Sequence, residues 1–353
     1  MKYNYFHWVA KIITFIIGMG PILYFYSIKK LQNSLLAEVG AILMGLLALL
    51  FFITIGYQLT LLVIKILSKL VSINYYRSLV ITVEIAWLLV AVYYLFSSFQ
   101  EGYRPPSVNS VRIAIPNFSY PNLKLVYLTD LHLGPLWKEK FTRHIAKEIK
   151  NIKPDILLLG GDVIELDPLF SPSLPLILQP FLEITAKIPS YMVLGNHEYY
   201  NNLLAIIDIL PKYNIHLLKN EGLIIGTPPH AFNLLGVNDY SGVGLGEYAP
   251  NYKMAFRNRD PNLSTILLAH QPRCVADLEE KNKIDLILSG HTHNGQIFPF
   301  NLFVKLVQPY VVGLHKHFQN TQIYVSAGTG SWGPPIRFGS RNEITLIEIV
   351  STK

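Results

Sequence analysis

Residues 123–132 read Leu-Lys-Leu-Val-Tyr-Leu-Thr-Asp-Leu-His, an apolar run of strand length that stops in a carboxylate and an imidazole two residues apart. Four later runs stop the same way. Ile156–Leu159 ends in Gly160-Gly161-Asp162, Tyr191–Leu194 in Gly195-Asn196-His197-Glu198, Ile266–Leu268 in Ala269-His270, and Ile284–Leu288 in Gly290-His291-Thr292-His293. Open α/β sheets bind ligands at such strand ends. A side-chain period of two puts both members of Asp130-x-His132 and of His291-x-His293 on one side of an extended chain. Glycines ahead of Asp162, Asn196 and His291 permit tight turns and close backbone approach. Carboxylate, amide and imidazole together suit a divalent ion such as Mn, Fe or Zn, and the lack of a cysteine ligand argues against a closed structural zinc site. One buried Asp or His is more often hydrogen-bonded structure. Five clusters in order, each ending an apolar run, are hard to explain as core.

Working outward, Val111–Ile115 and Asn233–Val237 read as further strands, Lys138–Asn151 as a helix with Phe141, Ile145, Ile149 and Ile152 on its apolar face, and Leu203–Leu210 as another helix. Strands separated by helices and loops predict an α/β domain with a central sheet packed on both faces.

The ordered set D-x-H, G-D-x-x-E, G-N-H-E, a lone H and G-H-x-H resembles the calcineurin-like metallophosphoesterase superfamily, over about Ile113 to the C-terminus. That resemblance implies a four-layer α/β/β/α sandwich. It also implies that Asp130, His132 and His293 bind one divalent ion, that Asn196, His270 and His291 bind a second, and that Asp162 bridges them. His197 would be the general acid, paired with Glu165 of G-D-x-x-E. The implied reaction is in-line attack on a phosphoester without a covalent enzyme intermediate. Glu198 reads equally as a group fixing a ligand or as a solvated residue. The tail, with Tyr324-Val325-Ser326-Ala327-Gly328, Pro335-Ile336-Arg337 and Glu343-Ile344, is similar to the bacterial membrane-anchored branch, which includes enzymes acting on lipid-linked phosphoesters such as UDP-diacylglucosamine. Asn294 stands where that branch usually has glycine. Arg337 is a candidate for substrate phosphate, with a structural ion pair as its alternative. Asp239 matches a loop aspartate of the branch and receives no role.

The 353-residue chain is 51% hydrophobic and only 15% charged, and the apolar excess lies in its first hundred residues. Trp8–Ile28, Leu35–Leu67 and Leu79–Phe99 are each long and apolar enough to cross a bilayer. The second is longer than one upright span needs, so it tilts, extends past the membrane, or breaks near Gly56, giving three or four spans. Glu38 and Glu84 lie near span ends, where headgroups can hydrate them. The chain therefore divides into a helical membrane region (1–100), a linker rich in turn formers (101–109) and a catalytic domain (110–353). With three spans, Lys2, Lys11, Lys65, Lys69 and Arg77 share the N-terminal side while Lys29, Lys30 and Arg104 lie opposite. The positive-inside rule then favours a cytoplasmic N-terminus and an outward catalytic domain in a bacterial inner membrane; a fourth span reverses the latter.

Through Arg104 the chain carries eight Lys/Arg against three Asp/Glu, and beyond it 22 against 20. The basic balance belongs to the membrane region and its lipid headgroups, so no nucleic-acid partner is expected. The one cysteine, Cys274, forbids an intramolecular disulfide. Two readings compete with a lipid-linked substrate: a tethered phosphatase of soluble nucleotides, and a non-catalytic membrane protein. Ile297–Val312, rich in Phe, Leu and Val, is the candidate lipid-facing loop.

Overall fold

The computed structural model describes residues 2–31, 34–70 and 76–352. Parts of the two loops between the proposed spans, and both chain ends, lie outside the described residues. The chain forms two compact units, one of residues 1–103 with 333–338, the other of 104–332 with 339–353.

In the first unit, α1 (Lys2–Gly18) gives way at Met19 to α2 (Gly20–Tyr26), where Pro21 lacks the N–H a helix interior needs. α3 (Ser34–Leu70) and α4 (Tyr76–Gly102) follow. Three stretches, Trp8–Lys30, Leu35–Leu70 and Tyr76–Gly102, are long and apolar enough to cross a membrane. α3 does not break at Gly56: it is one helix of 37 residues. Gly56 instead makes room for its neighbour, since a Cβ there would lie 2.3 Å from the Trp87 ring of α4. Small residues let membrane helices approach in this way. Beside that contact the Trp87 indole N–H donates to Thr60 Oγ1 at 3.2 Å, and Glu84 accepts the Tyr57 hydroxyl at 3.4 Å. Glu84 thus has a partner on α3 instead of relying on headgroups alone. The distant segment Gly333–Phe338 belongs to this unit as well. Its Arg337 N–H donates to Ser98 O at 2.8 Å, and Phe338 packs edge-on against Tyr94, ring centres 4.8 Å apart.

The second unit holds two six-stranded sheets rather than the single central sheet that periodicity suggests. Sheet one runs β1 (Ser107–Pro116), β12 (Glu343–Thr352), β2 (Lys124–Leu128), β3 (Ile156–Leu159), β4 (Ser190–Met192), β5 (His216–Leu217). Sheet two runs β10 (Gly313–Lys316), β11 (Gln322–Val325), β9 (Leu286–Ser289), β8 (Thr265–Leu268), β7 (His230–Gly236), β6 (Glu221–Thr227). β2 to β5 are mutually parallel, as are β7, β8, β9 and β11. Parallel strands covered on both faces read as unbroken apolar runs, as in Ile-Leu-Leu-Leu of β3. β1 begins at Ser107, inside the stretch the sequence reads as linker, because it pairs with β12 from Ser107↔Glu343 onward.

The inner faces of the sheets meet in one core: Leu125, Tyr127 and Leu158 of sheet one against Phe232, Ile266, Leu286 and Tyr324 of sheet two. α5 (Glu139–Ile152) and α6 (Leu174–Thr185) cover the outer face of sheet one through Phe141, Ile145, Ile149, Ile177 and Phe181. Short helical turns carrying Ala255, Cys274 and Val275 cover sheet two. The order is helix, sheet, sheet, helix. β2, β3, β4, β8 and β9 all end at one of the polar clusters.

Candidate dinuclear metal centre

The polar clusters do not sit on extended chain. Asp130, His132, Asp162, His291 and His293 have φ of 55°, 46°, 52°, 68° and 49°. The expected strand alternation is therefore replaced by left-handed turns just past each strand end, a conformation unfavourable for residues with a Cβ and concentrated at functional sites. Close approach is part of the design. A Cβ on Gly290 would lie 2.2 Å from Thr129 Oγ1 and 2.3 Å from Asp130 Oδ2. Asn294 also takes the left-handed region (φ 52°), which asparagine tolerates, so the loop keeps the shape a glycine would give it.

Two sets of donors gather there. In the first, His132 Nε2 faces His293 Nε2 at 3.1 Å, and Asp130 Oδ1 lies 3.4 Å from His293 Nε2. In the second, His270 Nε2 lies 3.1 Å from both Asp162 Oδ2 and Asn196 Oδ1, with His291 close by. The seven residues that the resemblance names lie in these two sets. The tautomers are fixed from outside. His270 Nδ1 is 2.8 Å from the Gly160 carbonyl, which can only accept, and His132 Nδ1 is 2.9 Å from Glu165 Oε2. With Nδ1 engaged, Nε2 of each ring is the nitrogen that faces the other groups of its set. Carboxylate oxygens and imidazole nitrogens gathered in this way suit divalent cations, and outer partners of this kind orient metal-binding imidazoles. Burial pushes the Asp162 carboxyl up, but His270, His197 and His132 outweigh it and hold the group well below the carboxylate range. Burial and the neighbouring His270 bring His291 down to about 4.

Glu165 is buried, and its Oε2 accepts from His132 Nδ1 and from His197 Nδ1, the latter at 2.8 Å. Burial opposes its ionisation, yet His197 and His132 bring it down to about 2. For His197 burial opposes the charge, while Glu165 and Asp162 carry it up to about 9. Glu198 is fully buried, which removes the solvated alternative. Its carboxylate accepts the backbone N–H groups of Asp162 (2.9 Å), Val163 (2.7 Å), Ile164 (3.2 Å) and Gly195 (2.7 Å), stitching the Gly-Asp turn to the Gly-Asn turn. Burial and Asp162 raise Glu198 to about 7.

Residues 123–295 match the sequence profile of the calcineurin-like phosphoesterases. An uncharacterized metallophosphoesterase of Helicobacter pylori J99 is 38% identical over 267 residues, 76% of this chain and 70% of that protein. The chain belongs to the calcineurin-like metallophosphoesterase family. A Campylobacter jejuni metallophosphoesterase is 33% identical over 86% of this chain and 79% of its own length. A Bos taurus transmembrane protein with metallophosphoesterase domain is 34% identical over 69% of this chain and 57% of its own length. With three apolar helices of spanning length, this metallophosphoesterase is membrane-associated.

Arg337 belongs to neither of the two donor sets. It is fully buried, and the six-residue stretch that carries it belongs to the helical unit. Asp239 is buried and accepts the Gln271 amide at 2.8 and 3.0 Å, holding the residue after His270. His315 and His317 are engaged locally, by Val312 O at 2.8 Å and Tyr310 Oη at 3.0 Å. Sequence reading missed two neighbours of the site. Thr129 donates to Asp130 Oδ2 at 2.8 Å, a threonine beside a ligand being too common a pattern to single out. Trp332, 40% exposed, stands 6.0 Å from the His197 ring, pinned by Gln296 through Nε2 to Trp332 O at 3.2 Å and Oε1 from Trp332 N–H at 3.1 Å. Only the pair G-H-x-H-N-G-Gln296 with Trp332, 36 residues on, could have pointed to it.

Proposed function

We propose that this protein is a multi-pass inner-membrane phosphohydrolase that cleaves a phosphoester or pyrophosphate of a lipid-linked substrate. The observation that carries the hydrolytic half is the convergence of seven buried or half-buried donors into two sets whose outer hydrogen bonds turn lone pairs inward. Asp130, His132 and His293 would hold one divalent ion and Asn196, His270 and His291 the other, with Asp162 shared between them. Ions of the manganese, zinc or iron kind, when bound there, would supply Lewis acidity for a phosphoryl group and for water. His197 protonates the leaving oxygen from Nε2, because Glu165 engages its Nδ1 and favours its charged form. Glu165 positions two groups at once, a ligand and the acid.

Support for the lipid-linked half is the apolar N-terminal region together with the exposed apolar stretch after His293. An unbroken α3 supports three spans, hence a catalytic domain across the membrane from the N-terminus, on the outer side by the positive-inside rule.

The test is turnover by the detergent-solubilised protein with Mn²⁺ on bis-p-nitrophenyl phosphate, p-nitrophenyl phosphate and UDP-diacylglucosamine, beside Asp162→Ala and His197→Ala. Metal-dependent cleavage of the lipid substrate, lost in both variants, is the expected result. Preference for soluble esters would replace the lipid by a soluble substrate, and no turnover with metal bound would overturn the hydrolytic reading.

A further inference from the structure

His293 is followed within seven residues by a helix, Phe300–Val307, that has no buried residue. Phe298, Phe300, Leu302, Phe303, Leu306 and Val307 are 48%, 48%, 49%, 56%, 81% and 75% exposed. Six large apolar side chains in ten residues form the kind of contiguous patch that marks an interaction site on a folded domain. Lys305 is the one charge between Ile297 and Val312. An apolar helix with a lone cation suits an anionic lipid surface, where the side chains enter the acyl boundary and the ammonium meets phosphate headgroups.

The chain limits how far the catalytic unit can be from lipid. Residues 103–106 alone join the end of α4 at Gly102 to β1 at Ser107, a reach of at most about 18 Å. A bilayer crossed by α4 is thus within constant reach, at a high effective concentration.

We propose that the Phe300–Val307 helix, with Phe298 ahead of it, docks in the lipid–water interface and brings the metal site to phosphoesters at that surface. The second clause rests on the lipid-linked reading above; the docking does not. The full chain is reconstituted in vesicles of phosphatidylethanolamine and phosphatidylglycerol with Leu306→Cys or, as control, Lys281→Cys, each labelled with an environment-sensitive fluorophore. Cys274 is 1% exposed, so the introduced thiol takes the label. Lys281 lies in the turn before β9, at the opposite end of that strand from His291, with a 74% exposed side chain. Nitroxide-labelled lipid should quench the probe at 306 several-fold more than the probe at 281. Equal quenching overturns the docking, as does a probe at 306 that is blue-shifted but unquenched, which would mean a second copy or another protein covers the helix. In Phe303→Glu/Leu306→Glu, cleavage of a vesicle-embedded phosphoester should fall roughly tenfold while bis-p-nitrophenyl phosphate turnover stays unchanged. Quenching at 306 in a protein that cleaves only soluble esters would uphold the docking and sink the lipid substrate.

Discussion

Glu165 Oε2 accepts a hydrogen bond from each of two imidazoles, one on a candidate metal ligand and one on the candidate acid. That sharing sets a pH dependence. His197 is raised above its ordinary value, so its acid form persists through neutral pH and is lost as pH rises through about 9. Removing the Glu165 charge lowers that point. In Glu165→Gln the alkaline fall of kcat should begin at lower pH than in the wild type, and His197→Ala should cost about 10²–10⁴ in kcat on substrates with poor leaving groups. pH profiles on an alkyl phosphoester check both. Glu198 makes a different prediction. Its removal leaves four buried N–H groups without an acceptor, so Glu198→Ala should lose about 3 kcal/mol or more in denaturant unfolding, before any question of activity. The ligand types were legible because polar residues end apolar runs. The Glu198 role was not, since a carboxylate that holds backbone and one that faces water look alike in a chain of letters.

At the scale of elements, β3 was legible to the residue and α5 to within one, because a buried parallel strand and an amphipathic helix each have a distinct period. α6 was not, as Pro175 and Pro180 lie inside Leu174–Thr185 and proline argues against a helix interior. The pairing of D-x-H was misread for a physical reason: extended geometry stops at the strand end and the ligands turn left-handed beyond it. Gly290 lets two such turns touch. Gly290→Ala would press on Thr129 and Asp130, so metal content measured after dialysis should fall in the set containing Asp130 while far-UV circular dichroism is retained. In the helical unit, Gly56→Leu would drive a side chain into Trp87, and the melting temperature in detergent should drop by more than for Ile55→Leu, whose side chain is 41% exposed.

Across the whole molecule, a cation bound by the two sets would favour the folded state that gathers them. Chelation should therefore lower the melting temperature along with activity, and Mn²⁺ at about a hundred times its dissociation constant should restore about 2.7 kcal/mol per site. Differential scanning fluorimetry with and without chelator reads this directly. The division into a membrane region and a catalytic domain was visible in composition alone. The place of Gly333–Phe338 was not, because nothing in its sequence distinguishes six residues folded with α4 from an ordinary loop.

That hexapeptide means the anchor is not a detachable module. A protease cut or gene truncation at Tyr103 would free the catalytic unit from its helices in sequence but leave Pro334, Pro335, Ile336 and Phe338 stripped of the surface they pack on, with Arg337 newly bare among them. Shedding of a soluble enzyme, or a swap of its helices for those of another protein, would have to reinvent this clasp at the same time. The lineage of such a chain should therefore show its membrane helices and its late Gly-Pro-Pro-Ile-Arg-Phe changing together, as two halves of one inherited part.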